Sequence, residues 1–139
     1  MRVFVDTNVL IDVIAKRQPF YDDSAAIWTL AEQDQIIGLV SAISFNNVYY
    51  VVRRLEDSRK ARRALELLRD TFQVMACDQQ VLNQAIEAKF KDFEDAVQYV
   101  SAVRASADCL VSRNPDHFPT AKDCPVLTPT EFLAAYRQE

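Results

Sequence analysis

The sequence predicts an α/β domain with a central parallel sheet of four to five strands and helices on both faces. Short apolar segments of strand length alternate with longer segments whose apolar residues recur at helical spacing. The strand segments are apolar on both faces, which is typical of strands buried between two layers of helices. No repeat, linker or low-complexity stretch interrupts this pattern, so we expect one domain over residues 1–139.

The predicted elements follow one another closely along the chain. Strands are predicted over residues 2–5, 36–40, 72–76, 108–111 and 125–127. Helices are predicted over residues 8–15 and 131–136. Three more helices are predicted to begin at residues 22, 58 and 92, and two others are predicted to end at residues 55 and 88. Pro19 separates the first two helices, and the acids at 22 and 23 suit the positive end of the second helix dipole.

Small polar residues mark where several of these helices begin. We expect Ser44, Ser58 and Asp78 to cap three of them by accepting a hydrogen bond from the backbone of the first turn. Thr128 is expected to cap the last helix, since Pro129 follows it at the position that proline favours.

Composition excludes several classes of protein. Gly38 is the only glycine, so the glycine-rich phosphate loops of P-loop NTPases and dinucleotide-binding folds are impossible. The three cysteines are widely spaced and form no C-x-x-C pair, which argues against a disulfide framework and, with His117, against a zinc site. The longest apolar runs are too short to span a membrane, and the N-terminus lacks a secretory signal pattern, so we expect a cytoplasmic protein.

Acidic residues follow two of the predicted strands. Asp6 comes directly after the first strand, and Asp116 follows the fourth within a few residues. Because ligands of open α/β sheets gather beyond the carboxyl ends of the strands, both acids belong at that edge. Asp92 and Asp95 share one face of a helix start, but the sequence leaves open which sheet edge that first turn reaches.

If these acids converge, their mutual repulsion raises their pKa values unless a cation compensates. Oxygen ligands favour a hard ion such as Mg²⁺ or Mn²⁺. Carboxylates that hold such ions are the usual apparatus for hydrolysing phosphodiester bonds. Each acid also has a simpler interpretation: Asp92 as a helix cap, Asp116 as a turn residue, and Asp95 as the partner of an arginine.

Three motifs together resemble the PIN domain, and within it the subgroup related to bacterial VapC-type toxins. They are FVDTNVLIDV at residues 4–13, FKDFEDAVQYVSA at 90–102, and VSRNPDHF at 111–118 followed by VLTPTEFL at 126–133. The resemblance covers essentially the whole chain. It implies a Mg²⁺- or Mn²⁺-dependent ribonuclease acting on RNA, a toxin with a small antitoxin partner, and a homodimer.

The resemblance also implies roles for individual residues. Asp6 matches the first metal-binding acid of the family and Asp95 the acid on the later helix. Asp92 matches a second acid that the subgroup often carries one turn earlier. Thr7 matches a small hydroxyl residue beside the first acid, where it holds a carboxylate or a water.

Two amides stand at positions where the family often carries an acid. Asn47 stands where the family often has a glutamate, in the helix after the second strand, and Asn114 stands after the fourth strand, where the family has Asp or Asn. An amide oxygen is a neutral ligand and does not replace a carboxylate. Asp116, two residues beyond Asn114, is a candidate for supplying the missing charge. We therefore expect a weaker second metal or a single-metal site.

Basic residues are candidates for contact with the RNA backbone. Residues 53–63 carry six Arg or Lys side chains against two acids, although the net charge of the chain is −4. Arg53, Arg54 and Arg113 are the predicted phosphate contacts, and surface ion pairs are the alternative. His117 lies beside the expected site and is a weaker candidate for a general base.

Two other classes of function compete with a nuclease. One is a PIN-like module that binds RNA or protein with weakened or lost catalysis, which the amides at positions 47 and 114 favour. The other is a different Mg²⁺-dependent α/β protein. A haloacid-dehalogenase-like phosphatase would need an acid at position 8, where Asn8 stands, and a response-regulator receiver would need an acid pair after the first strand.

Overall fold

A parallel sheet covered by helices is the architecture of the computed structural model, which describes residues 1–120 and 123–138. Its strands are β1 (Arg2–Val5), β2 (Ile37–Ser41), β3 (Gln73–Met75), β4 (Cys109–Val111) and β5 (Val126–Leu127). Its helices are α1 (Thr7–Ile14), α2 (Tyr21–Glu32), α3 (Ala42–Leu55), α4 (Ser58–Thr71), α5 (Gln79–Glu87), α6 (Phe93–Arg104) and α7 (Pro129–Arg137). A 3₁₀ turn, Pro115–His117, follows β4.

The strand order is β3-β2-β1-β4-β5, and every pairing is parallel. β1 lies at the centre, with Phe4 in register with Leu39 on one side and Leu110 on the other. From β1 the chain first builds the sheet outward through β2 and β3, then returns to the other side of β1 to form β4. The strand order therefore reverses between β1 and β4, which is where open α/β sheets form a ligand crevice.

Helices cover both faces of the sheet, as the sequence predicts. On one face, side chains from α1, α2, α3, α4 and α7 pack with Val3, Val5 and Val111 of the sheet. On the other face, α6 packs against Phe4 and Leu110. Burial of these strands on both sides explains why they carry almost continuous apolar residues.

The predicted strand boundaries agree with the structure to within one or two residues, but two of the predicted caps are wrong. Ser41 rather than Ser44 caps α3, because the helix begins at Ala42, three residues earlier than predicted. Asp57 rather than Ser58 caps α4. Asp78 and Thr128 cap α5 and α7 as predicted.

α6 is the second of two helices in the connection from β3 to β4, and its contact with β1 shows which edge of the sheet it starts from. The end of α6 lies beside the start of β1, because the guanidinium of Arg2 donates hydrogen bonds to the Ala105 carbonyl at 2.8 and 3.0 Å. A helix of 12 residues is about 18 Å long. Its first turn is therefore at the carboxyl edge of the sheet, which the sequence alone left open.

Within the described ranges, none of the helices combines the length and the hydropathy that crossing a membrane requires.

Candidate functional site

Asp6 lies at the carboxyl end of the central strand, where β1 meets α1. Its Oδ1 accepts a hydrogen bond from the Thr7 backbone N–H at 2.7 Å, so the side chain caps α1. Its Oδ2 accepts a hydrogen bond from the Ser112 hydroxyl, also at 2.7 Å. Only 4 % of Asp6 is exposed to solvent. The first predicted site residue is thus buried in the crevice between β1 and β4, with a neutral donor on each oxygen.

The electrostatic surroundings of Asp6 are unusual for a buried acid. Burial raises its pKa to about 6, although the hydrogen bonds from Ser112 and Thr7 favour the charged form. The negative charges of Asp95 and Glu94 are smaller contributors to the same rise in pKa. Ionisation of Asp6 is therefore unfavourable in this site, and a bound cation would make it favourable.

The first turn of α6 supplies the second acid that the sequence predicts. Burial raises the pKa of Asp95, and the charge of Asp92 adds to the shift. His117 opposes it, because its Nδ1 lies 3.2 Å from Oδ2 of Asp95. His117, from the turn after β4, thus contacts an acid of the site directly, while its side chain is 56 % exposed.

Glu94 is a member of this cluster that the sequence analysis did not single out. Burial raises its pKa, and the charges of Asp92 and Asp95 also raise it. Asn47 of α3 donates a hydrogen bond from Nδ2 to Oε1 of Glu94 at 2.9 Å. The amide at position 47 thus meets a carboxylate from another helix. Glu94 is the first residue of the E-D-A triplet, in which the sequence pattern assigned a role only to the second residue, Asp95.

A buried polar network lies beneath the acids. The hydroxyls of Thr7 and Ser44 are 2.7 Å apart, and Gln98 Nε2 donates to both, at 3.2 and 3.3 Å. Ser44 and Gln98 are completely buried. The predicted cap Ser44 therefore ties α3 to α1 and α6 instead, and the network fixes the relative position of the helices that carry the acids.

The other predicted acids and the second amide occupy less central positions. Asp92 is exposed and caps α6, because its Oδ1 accepts from the Asp95 backbone N–H at 3.0 Å. The backbone N–H of Asn114 donates to the Ser112 hydroxyl at 3.1 Å, while the residue itself is exposed. Asp116 is exposed in the 3₁₀ turn, and its charge has no part in the raised pKa of Asp95.

Arg113 is oriented toward another buried acid. Its Nε lies 2.7 Å from Oδ2 of Asp12, in an ion pair that lacks hydrogen-bond alignment, and its guanidinium lies 4.3 Å from the ring centroid of Phe20. Asp12 is fully buried within α1, and burial raises its pKa although Arg113 and Arg17 oppose the shift. Asp12 gives no signal of this role in the sequence, because Arg113 is about 100 residues away.

Arg53 and Arg54 lie on α3, far from the acids. Both are exposed in the last turn of α3. Asn47, which contacts the acid cluster, is six to seven residues earlier, a separation of about 10 Å along a helix axis. The two arginines are therefore displaced toward the amino edge of the sheet, away from the crevice.

The acids do not form a preassembled metal site. Across residues 1–120 and 123–138, no three His, Cys, Asp or Glu side chains lie close enough together to hold a metal ion. The chemistry of the donors nevertheless fits a hard divalent cation, since the crevice offers carboxylate oxygens from Asp6, Glu94 and Asp95, whose pKa values are all raised. Mg²⁺ keeps several waters in protein sites, so it does not require a closed cage of side chains.

Comparisons with known proteins identify the family of the chain. The family model of the PIN domain matches residues 2–116. The ribonuclease VapC1 of Aquifex aeolicus (strain VF5) is 27 % identical over 136 residues, which is 94 % of this chain and 92 % of that protein.

Solved structures with the same fold are much less similar in sequence. VapBC-1 from nontypeable Haemophilus influenzae matches with a TM-score of 0.68 and 18 % identity, over 94 % of this chain and 99 % of that one. VapC20 of Mycobacterium tuberculosis, described as a toxin that cleaves the sarcin-ricin loop, matches with a TM-score of 0.64 and 15 % identity, over 78 % and 86 % of the two chains. With the family model covering most of the sequence, the comparisons and the crevice lead to one conclusion: this chain belongs to the PIN domain family and resembles its VapC toxins.

Proposed function

We propose that this chain is a divalent-cation-dependent endoribonuclease and the toxin of a toxin–antitoxin pair. The observation that carries the proposal is that Asp6 is buried in the crevice between β1 and β4, where the charges of Asp95 and Glu94 act on it and the pKa values of all three acids are raised. Stability alone does not favour such an arrangement, because buried like charges repel one another. The relative named ribonuclease VapC1, similar along almost its whole length, supports the same activity.

The residues of the crevice have separable tasks in this proposal. Asp6 and Asp95 would hold Mg²⁺ or Mn²⁺ directly, and Glu94 would contribute an oxygen or orient a water. When bound, the cation would polarise the scissile phosphate and lower the pKa of an attacking water. Asp92 and Asp116 stay predicted ligands at the rim of the crevice.

Neutral residues keep the acids in place before the cation arrives. The Ser112 hydroxyl and the Thr7 backbone hold both oxygens of Asp6, and Asn47 holds Glu94. The hydroxyls of Thr7 and Ser44 bridge the helices below. His117 contacts Asp95 from the turn after β4 and restrains its carboxylate.

The decisive experiment combines cleavage with metal binding. Purified chain is incubated with a labelled RNA pool in Mn²⁺, Mg²⁺ or EDTA, and Mn²⁺ binding is followed by calorimetry. We expect cleavage only with a divalent cation, and a loss of at least about 100-fold in Asp6→Asn and Asp95→Asn, because stabilisation of transition-state charge worth several kcal/mol disappears. Weakened Mn²⁺ binding should accompany that loss.

The control for this experiment is Asp34→Asn, which removes an exposed carboxylate just before β2, at the amino edge of the sheet. It should cleave like the unaltered chain. Unchanged cleavage in Asp6→Asn or Asp95→Asn, with circular dichroism showing intact folding, would refute the assignment of the site.

A binding module with weakened catalysis is the second candidate. The amides Asn47 and Asn114, together with the open arrangement of the acids, favour it. No heat of Mn²⁺ binding at millimolar concentration and no cleavage of any RNA would decide for this candidate.

The partners follow from the same proposal. The H. influenzae structure is of VapBC-1, and another match, with a TM-score of 0.67, is a toxin–antitoxin complex from Klebsiella pneumoniae. We propose a small antitoxin partner and a homodimer, both acting in the cytoplasm. Growth arrest on expression of the chain alone, relieved by co-expressing the neighbouring short reading frame, would support the antitoxin, and light scattering of the purified chain would test the dimer.

A further inference from the structure

A cavity of about 380 Å³ lies beside the acid crevice and has no part in the function described above. It is lined by Pro19, Phe20, Asp23, Arg113, Thr128, Pro129 and Thr130. We propose that this cavity binds one unpaired guanine base of the RNA substrate, next to the scissile phosphate. The proposal deepens the nuclease function and rests on it.

The position of the cavity is the first argument. Arg113 directly follows Ser112, whose hydroxyl donates to Asp6, and the backbone N–H of Arg113 lies 3.4 Å from Oδ1 of Asn8. Thr128 directly follows β5, on the neighbouring strand. The cavity and the acids are therefore both at the carboxyl edge of the sheet, so one RNA strand is able to reach both.

A fixed planar surface is the second argument. The guanidinium of Arg113 lies over the ring of Phe20 at 4.3 Å, and the buried carboxylate of Asp12 holds its Nε from behind at 2.7 Å. Because of these contacts Arg113 presents a plane in a fixed orientation. Unpaired bases of RNA stack on aromatic rings and on arginine planes. The volume of the cavity lies within the usual range of about 300–1,000 Å³ for sites that bind small molecules.

The charges of the cavity favour a base over a phosphate. The positive charge of Arg113 is already compensated by Asp12, and the lining carries a second carboxylate, Asp23. A phosphate placed there would meet the carboxylate of Asp23 and a guanidinium whose charge is already paired with Asp12. We therefore assign Arg113 to stacking on a base, whereas the sequence analysis predicted a contact with phosphate.

Hydrogen bonding selects guanine among the bases. The Thr130 hydroxyl donates to Oδ2 of Asp23, which orients the carboxylate and leaves further lone pairs free to accept. Guanine carries an N1–H and an N2 amino group side by side, so both are able to donate to one carboxylate. Adenine and the pyrimidines do not present two adjacent donors on that edge.

The test measures binding without cleavage. Fluorescence anisotropy is recorded for the pentaribonucleotides UUGUU, UUAUU and UUUUU, and for UUIUU, in which inosine lacks the N2 amino group, all in EDTA. We expect the guanine strand to bind about tenfold more tightly than the adenine strand, with inosine between them. Asp23→Asn should abolish the difference, while Phe20→Ala should weaken the binding of every strand about tenfold.

The matched control is Asp22→Asn, which removes the same charge from an exposed neighbour in the first turn of α2 without lining the cavity. It should keep the full preference for guanine. Equal affinity for all four strands in the unaltered chain would indicate a backbone site and overturn the proposal, as would a guanine preference that Asp23→Asn leaves unchanged.

Failure of this proposal is distinguishable from failure of the nuclease function. RNA cleaved in Mn²⁺ with the same sequence preference by Asp23→Asn and Asp22→Asn would overturn the guanine site and leave the nuclease standing. Guanine-selective binding by a chain that cleaves no RNA would support the site and refute the nuclease.

Discussion

Two buried aspartates six residues apart at the start of the chain have opposite surroundings. Asp12, inside α1, is fully buried and lies 2.7 Å from the guanidinium nitrogen Nε of Arg113. Asp6, the cap of the same helix, is 4 % exposed, and its nearest charges are the acids Asp95 and Glu94. Burial raises the pKa of both residues, but only the first has a cation in contact with it.

The difference distinguishes an acid that holds two elements together from the acid at the proposed cation site. A buried carboxylate with a cation beside it holds elements together, here α1 and the segment after β4. A buried carboxylate that faces other carboxylates destabilises the fold, and its surroundings become favourable only when a cation binds. Removal of the cation beside Asp12 should therefore destabilise the chain, whereas removal of the charge of Asp6 should stabilise it.

The largest stability effect is expected for Arg113→Met. The substitution leaves Asp12 buried without its cation, which typically costs about 3–5 kcal/mol in the free energy of unfolding. Urea denaturation at pH 7 measures the loss. The double variant Asp12→Leu with Arg113→Met should recover most of it, because no unpaired charge remains. A loss below about 1 kcal/mol in the single variant would show that the pair is not the tie inferred here.

Asp6→Asn should have the opposite sign. The folded-state pKa of Asp6 is about 6 against 3.8 for the reference acid, so the folded chain binds this proton more tightly than the unfolded chain does. The unfavourable contribution is absent below about pH 4, grows as the pH rises to about 6, and is complete above it. At pH 7 the variant should be more stable by up to about 3 kcal/mol.

Parallel urea titrations at pH 4 and pH 7 measure this effect. The difference between Asp6→Asn and the unaltered chain should nearly vanish at pH 4, whereas Asp34→Asn should show little effect at either pH. A variant less stable than the unaltered chain at pH 7 would mean that the hydrogen bonds from Ser112 and Thr7 outweigh the burial of the charge and the repulsion from the other acids.

Addition of a divalent cation should reduce the stability difference between Asp6→Asn and the unaltered chain, because it stabilises the unaltered chain more. At about ten times its dissociation constant, Mn²⁺ should stabilise the unaltered chain by about 1.4 kcal/mol, because it binds the folded state. Asp6→Asn should gain less than half of that. Thermal denaturation at matched ionic strength with NaCl is the measurement, and equal gains in both proteins would place the cation elsewhere.

The smallest effect is expected for Asn47→Asp. The new carboxylate would lie against Glu94, where the amide now donates a hydrogen bond at 2.9 Å. Repulsion should destabilise the chain by about 1 kcal/mol at pH 7 without metal, and the extra oxygen should tighten Mn²⁺ binding. Calorimetry and urea titration of the same samples test both. Weaker Mn²⁺ binding would exclude position 47 from the cation site.

Much of the fold was predictable because local patterns decide it. The apolar segments that became β1 and β2 cannot be exposed, and the alternation of strands with helical spacing leaves few topologies besides a parallel sheet. Asp78, Asp92 and Thr128 cap the helices that their positions suggest, because capping depends on the first turn alone. The prediction of Ser44 as a cap was wrong, because the sequence alone does not distinguish a serine buried inside a helix from a serine that caps it.

The sequence by itself determined the α/β architecture, the acid after the first strand and the family motifs. The tertiary structure decided which distant groups meet: Glu94 with Asn47, Gln98 with Thr7, and Asp12 with Arg113. Helical and strand periodicities are fixed by neighbouring residues, and so they can be read along the chain. The charge and desolvation felt by a carboxylate depend on groups brought near by packing, and sequence spacing does not record them.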